Sequence, residues 1–260
     1  MLKLIKNFFC DTFAIALFET IKIIRVPSEI LARSAQPVLW LLIFGEVFTR
    51  IHMDVLGKQS YLAFIAPGIL AQSVLFIAIF YGISVIWERD LGILHKILVT
   101  PCFRSALVLG KSISAGVRAL SQLVIVLVLS FLLHLNLRWS LSMFAGVILI
   151  VMLEAAIFTA FSTAIACIVK TRERFMGIGQ VLVMPLFFAS NAIYPIAIMP
   201  RWLQIIAHWN PLSYAVDALR SLMLVDTESV FGYTTDCLVL LATLFVLIIA
   251  STLLYPRVIQ

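Results

Sequence analysis

From Tyr61 to Ile86 the chain carries no Asp, Glu, Lys or Arg, and comparable apolar runs recur along its length. In a bilayer core about 30 Å thick every backbone N–H and C=O must be paired internally, so a helix of about 20 apolar residues, rising about 1.5 Å each, is the natural spanning unit. That ruler places about six spans, near Ala35–Phe48, Tyr61–Ile86, Leu107–Leu133, Leu141–Val169, Phe175–Ile193 and Cys237–Tyr255. The hydrophobic residues reach 63% and the mean hydropathy +1.11, more apolar surface than a water-soluble core hides. The expected fold is all-α and polytopic, a single membrane domain over residues 1–260. No cleavable leader is expected, because Asp11, Glu19 and Lys22 interrupt the apolar start.

The formal charge of +6 does not indicate nucleic acid, since the cations lie between apolar runs and are not gathered on one polar face. They indicate topology instead. Of the 19 Lys and Arg, 14 fall on the side of both termini; the other side keeps Arg50, Lys58, Arg138, Arg201 and Arg220, with Asp217, Asp226, Glu228 and Asp236. Both termini are therefore expected to be cytoplasmic. Lys111 and Arg118 fall inside the edge of the third span, where they either face protein or snorkel. Before the first span, Phe9, Phe13, Leu17 and Ile24 recur near helical spacing among Lys6, Asp11, Glu19 and Lys22, which predicts an interfacial helix within residues 1–27.

Chemistry of the chain's own is not expected. Gly110-Lys111-Ser112 imitates the end of a phosphate-binding loop, but Ser105 stands where its first glycine belongs and the segment enters a span. The four cysteines are far apart, no HExxH occurs, and His52, His95, His134 and His208 fall at loops or span ends. No metal and no cofactor is assigned to this chain. Glu154 is the one acid well inside a predicted span, where an unpaired charge costs about 2.5 to 3.5 kcal/mol; it reads either as a polar point facing a transport path or partner, or as a structural residue. Ala156, Ala160 and Ala164 form a small-residue stripe suited to close helix packing.

Two segments do not fit a plain bundle. Residues 87–104, WERDLGILHKILVTPCFR, are too charged to span and too apolar for a solvated loop. Ile93, Leu94, Ile97 and Leu98 make an apolar stripe with Glu88, Arg89, Asp90 and Lys96 on other faces, which predicts a short cytoplasmic helix ended by Pro101, either seated on a partner or resting on the membrane surface as a connector. Residues 194–225 hold Pro195, Pro200 and Pro211 among Trp202, Trp209 and Tyr214, which predicts short helices dipping into the outer leaflet and returning. Asp217 and Arg220 stand three apart there, in position to pair.

The run WERDLGILHKILVTPCFRSALVLGK resembles the cytoplasmic loop of type-2 ABC exporter permeases, and NAIYPIAIMPRWLQIIAHWNPLSYAVDALR resembles the same family's outer re-entrant region. The resemblance covers essentially the whole chain and is closest to drug-efflux, nodulation or polysaccharide-exporting members. It implies a coupling helix that seats on an ATPase, carried here by Glu88, Arg89, Asp90, Gly92, His95, Lys96, Leu98, Pro101 and Arg104, with Gly110 and Lys111 beyond. His95 departs from the family, where an acidic residue is common. An outer gate is implied at Asn191, Tyr194, Pro195, Pro200, Asn210, Pro211, Asp217 and Arg220. The implied partners are two copies of a separate ABC ATPase subunit, which would hold ATP and Mg, a second copy of this permease, and membrane lipid, in a bacterial inner membrane. The apolar spans favour export of an amphipathic substrate such as a hydrophobic drug, with a lipid-linked saccharide second. A secondary transporter or channel is the rival reading, and only Glu154 answers to its requirement for mid-membrane polar groups.

Overall fold

The computed structural model describes residues 2–24, 35–45, 47, 61–93, 104–169, 171–225 and 227–258. Among these the chain is all-helical. Helix α1 is Leu2–Ile24, α2 Tyr61–Tyr81, α3 Ile83–Asp90, α4 Arg104–Leu132, α5 Leu141–Ile168, α6 Arg172–Phe188, α7 Arg201–Trp209, α8 Pro211–Met223 and α9 Tyr233–Leu254. Trp40–Gly45 form a π-helical stretch, and Ile196–Ile198 and Tyr255–Val258 are 3-10 turns. Four of the described helical runs are long and apolar enough to cross a membrane: Tyr61–Asp90, Arg104–Leu132, Leu141–Ile168 and Tyr233–Leu254. The fifth predicted span forms α6, 17 residues long, and stops at Phe188, where Ala189–Tyr194 turn. The end of the first predicted span lies outside the described residues.

Helix α5 is the centre, packed against α2, α4, α8 and α9. Ser140 caps its N-terminus by accepting from Met143 N at 3.2 Å. The small-residue stripe does the packing expected of it at Ala160, whose carbonyl accepts from Ser251 Oγ of α9 at 2.5 Å. On its far side α9 shows Leu238, Leu241, Phe245 and Val246 outward, an apolar face suited to lipid.

The second span runs further than its sequence suggests. Helices α2 and α3 meet at Gly82 and continue together to Asp90. A Cβ at Gly82 would collide with Ser162 of α5, so glycine permits the close crossing there. Trp87, Glu88, Arg89 and Asp90 therefore form the last turn of this helical run. Gly92, at φ +69°, closes α3 in the left-handed conformation that side-chain-bearing residues avoid. Of the predicted stripe only Ile93 is described; His95, Lys96, Leu98 and Pro101 lie outside the described residues.

Helix α1 lies against α4. Its polar Thr12 and Glu19 are buried while Phe9, Phe13, Leu17, Phe18 and Ile21 point out. That is the reverse of a soluble amphipathic helix and the arrangement that suits an apolar surrounding.

Candidate functional site

The functional candidates gather at the two ends of the bundle, the one that the distribution of Lys and Arg predicts to face inward (the inner end) and the one it predicts to face outward (the outer end). At the inner end, Lys111 of α4 projects between two carboxylates, its Nζ 2.7 Å from Glu88 Oε1 and 3.6 Å from Glu19 Oε1. Lys22 approaches the same atoms, 3.0 Å from Glu19 and 3.7 Å from Glu88. Tyr81 OH donates to Glu19 Oε2 at 2.8 Å, and Lys111 also reaches Ser84 Oγ at 3.4 Å. Burial alone would push the Glu19 carboxyl up; the charges of Lys111 and Lys22 and the hydrogen bonds from Lys22 and Tyr81 outweigh it and hold the group at about 2. The cluster ties α1, the end of the second span and α4 together. Lys111 thus faces protein, 2% exposed, and does not snorkel.

This corrects the place given to Glu88. The sequence pattern puts it on a polar face of a short cytoplasmic helix, whereas it is 5% exposed and engaged inside the bundle. Among the described residues here, Trp87, Asp90, Leu91 and, at the start of α4, Arg104 are exposed, and Arg89 is half-buried. Asp90 bridges two guanidinium groups: Arg89 Nη2 lies 3.0 Å from Oδ1, while Arg172 Nε and Nη2 lie 3.0 and 2.8 Å from Oδ2. The Arg172 guanidinium also stacks on the Trp87 ring, 3.7 Å from its centroid. Thr171 caps α6 by accepting from Arg174 N, which fixes the turn that presents Arg172.

At the outer end all eight predicted residues fall in one region. The prolines break the chain as expected: Pro195 precedes the 3-10 turn, Pro200 precedes α7, and Pro211 opens α8. Neither α7, with nine residues, nor α8, with 13, is long enough to span. Asn210 joins α6 to α8, its Nδ2 donating to Leu186 O at 2.6 Å and its Oδ1 accepting from Leu212 N at 3.0 Å. Tyr194 OH donates to Phe188 O at 2.5 Å. Asp217 and Arg220 do not pair with each other. Arg220 Nη2 donates to Asn191 O at 2.8 Å and its guanidinium covers the Phe64 ring at 3.8 Å. Asp217 Oδ2 accepts from Ser229 Oγ at 2.7 Å and Phe231 N at 3.0 Å, and the same hydroxyl lies 2.9 Å from Asp236 Oδ2.

Between α6 and α7 lies an open cavity of about 600 Å³, lined by Leu182, Pro185, Phe188, Trp202, Ile206 and Trp209 among others. Its walls are apolar and aromatic, and the few polar side chains beside it, Tyr194 and Asn210, are committed to backbone groups. Glu154 sits elsewhere, fully buried on α5, with neither carboxyl oxygen hydrogen-bonded among the described residues. It faces the interior of the protomer.

Sequence reasoning missed the roles of Glu19, Tyr81, Arg172, Ser229 and Asp236. One local signal was available, a carboxylate and a lysine three apart, Glu19 and Lys22, on a helix whose other residues are largely apolar. The remaining partners are separated by long stretches of chain.

A helical bundle with several apolar spans, short broken helices at one end and paired charges at the other has the form of a membrane transport permease. The chain belongs to the ABC-2 type transporter family, whose profile matches residues 11–224. It is 29% identical over 204 residues to a putative transport permease, ycf38, of Cyanophora paradoxa, covering 78% of this chain and 70% of that one. It is also similar to the daunorubicin resistance ABC transporter permease protein DrrB1 of Streptomyces coeruleorubidus, at 25% identity over 76% of this chain and 69% of the relative. Nodulation protein J of Rhizobium leguminosarum bv. trifolii matches at 25% over 76% and 74%.

Proposed function

We infer that this permease forms half of an exporter driven by a separate ABC ATPase, with two permease chains and two ATPase subunits in the working complex. ATP and Mg are held by the ATPase. Trp87, Arg89, Asp90, Gly92 and Arg104 at the inner end form part of the docking surface for that partner, whereas Glu88 braces the surface from within. The permease sits in a bacterial inner membrane with both termini on the ATPase side, in keeping with the distribution of Lys and Arg.

The cargo is an amphipathic molecule with a substantial apolar part, in line with the drug-resistance name of one relative. The observation that carries this choice is the cavity beside α6, whose size suits a small ligand and whose walls offer dispersion and ring faces but little free polarity. A charged or sugar-like cargo would find few donors or acceptors there.

Purification of the tagged chain from its native membrane tests the partner. The expected result is co-purification of an ATPase subunit, and its loss in Arg104→Glu while the permease still inserts. Retention of the ATPase by Arg104→Glu contradicts the assigned docking surface. Export of a hydrophobic fluorescent dye tests the cargo: Trp202→Asp is expected to lower dye export at least about fivefold, through loss of apolar contact and a charge placed on the cavity wall against an apolar cargo. Unchanged export contradicts the reading.

A further inference from the structure

Helix α6 is held unusually. Only a single ridge, Phe175, Gly179, Val183 and Phe187, is buried, at spacings of four residues, while Met176, Val181, Met184 and Phe188 stand exposed on its other sides. A helix seated on one ridge in one groove is free to slide or tilt along it, unlike α5, which is enclosed by four neighbours. Polar attachments occur at its two ends. At the inner end Arg172 grips Asp90 through two N–H groups and stacks on Trp87. At the outer end the carbonyls of Leu186 and Phe188 receive the Asn210 amide and the Tyr194 hydroxyl, so the last turn is bonded to the residues flanking α7. Phe187 adds an edge-to-face contact with Trp40 at 5.7 Å.

We propose that α6 is a strut between the two ends of the permease and that Arg172 is the positioning residue that couples it to the inner end. Movement of the segment that begins at Asp90 pulls on α6 through Arg172, and α6 carries it to α7 and α8 through Leu186 and Phe188. The wall of the apolar cavity moves with it, because α6 and α7 supply that wall. The reading needs a planar cation at position 172. A guanidinium brings two N–H groups to one carboxylate oxygen and stacks its flat face on a ring at the same time, and an ammonium does not. The functional half of the proposal rests on the ATP-driven reading above; the mechanical half does not.

Both halves are tested on the full chain. In detergent, hydrogen exchange is compared between wild type and Arg172→Ala. The strut predicts faster exchange at both ends, in residues 171–176 and also in residues 186–210, since the outer turn loses its anchored neighbour. A change confined to the inner end overturns the proposal. In vesicles holding the permease with its ATPase, Arg172→Ala is expected to retain ATP hydrolysis and lose about fivefold or more in substrate moved per ATP, with Arg172→Lys recovering only part. The double variant Trp87→Ala/Arg172→Ala is expected to lose little more than Arg172→Ala alone in substrate moved per ATP by complexes that retain the ATPase, because the Trp87 contact is already gone. Full transport per ATP in Arg172→Ala, or independent losses in the double variant, overturns it. Absence of any ATP-driven transport in wild type defeats the exporter reading instead, and the exchange measurement then decides the strut alone.

Discussion

At the inner end Lys111 stands between Glu88 and Glu19, with Lys22 beside them, whereas at the outer end Arg220 meets a carbonyl and a ring face and Asp217 meets a hydroxyl and a backbone N–H. The inner charges answer one another across α1, α3 and α4. The outer charges are answered by the turns and rings around them. A charge bonded to a charge on another helix makes the relative position of those helices part of its own stability. A charge bonded to a carbonyl instead fixes a loop. The inner end thus keeps separate elements together, and the outer end holds broken helices in shape beside the cavity.

The comparison breaks most severely at Lys111. Lys111→Met leaves the buried Glu88 and Glu19 with the half-exposed Lys22 as their one remaining cation, and thermal unfolding in detergent is expected to show a loss of about 3 kcal/mol. Adding Glu88→Leu is expected to recover a large part of it, since an apolar pair of similar volume replaces the ion pair; no recovery would mean that Lys111 acts by some other contact. Acid probes the same cluster. Glu19 titrates at about 2 in the fold and near about 4.3 in an unfolded chain. Its contribution is therefore complete above that unfolded value and is lost as the pH falls through the folded one. The stability gap between wild type and Glu19→Gln should close over this acid window and stay constant near neutrality.

Outer substitutions are expected to cost less. Arg220→Met removes one charged hydrogen bond and one stacked ring, worth about 1.5 to 3 kcal/mol, and should loosen residues 189–194 without disturbing α1. Exchange that rises equally at both ends would erase the contrast drawn here. The smallest effect belongs to Arg89→Ala, whose exposed contact to Asp90 is worth under about 1 kcal/mol and should weaken further in high salt.

Much of the fold was legible because lipid imposes a length and a polarity that sequence displays directly. The broken region 194–225 was equally legible, since Pro195, Pro200 and Pro211 lack the N–H a continuous helix needs. Charge misled the reading where its partner was remote. Glu88 and Asp90 looked like the end of a span, yet α3 continues because Glu88 turns inward to Lys111, 23 residues on, and to Glu19 and Lys22 on another helix. Asp217 and Arg220 satisfied the local spacing rule but found better partners in Ser229, Phe231 and Asn191, which the tertiary fold brings near. Glu154 was visible as an anomaly, and only the packing of α5 shows that it points into the protomer.

Transport by the purified permease, reconstituted into sealed vesicles with and without its ATPase, weighs the central claim most directly. The account predicts accumulation of a hydrophobic dye against its gradient only when the ATPase and hydrolysable ATP are both present. Accumulation by the permease alone, driven by an ion gradient, would contradict it.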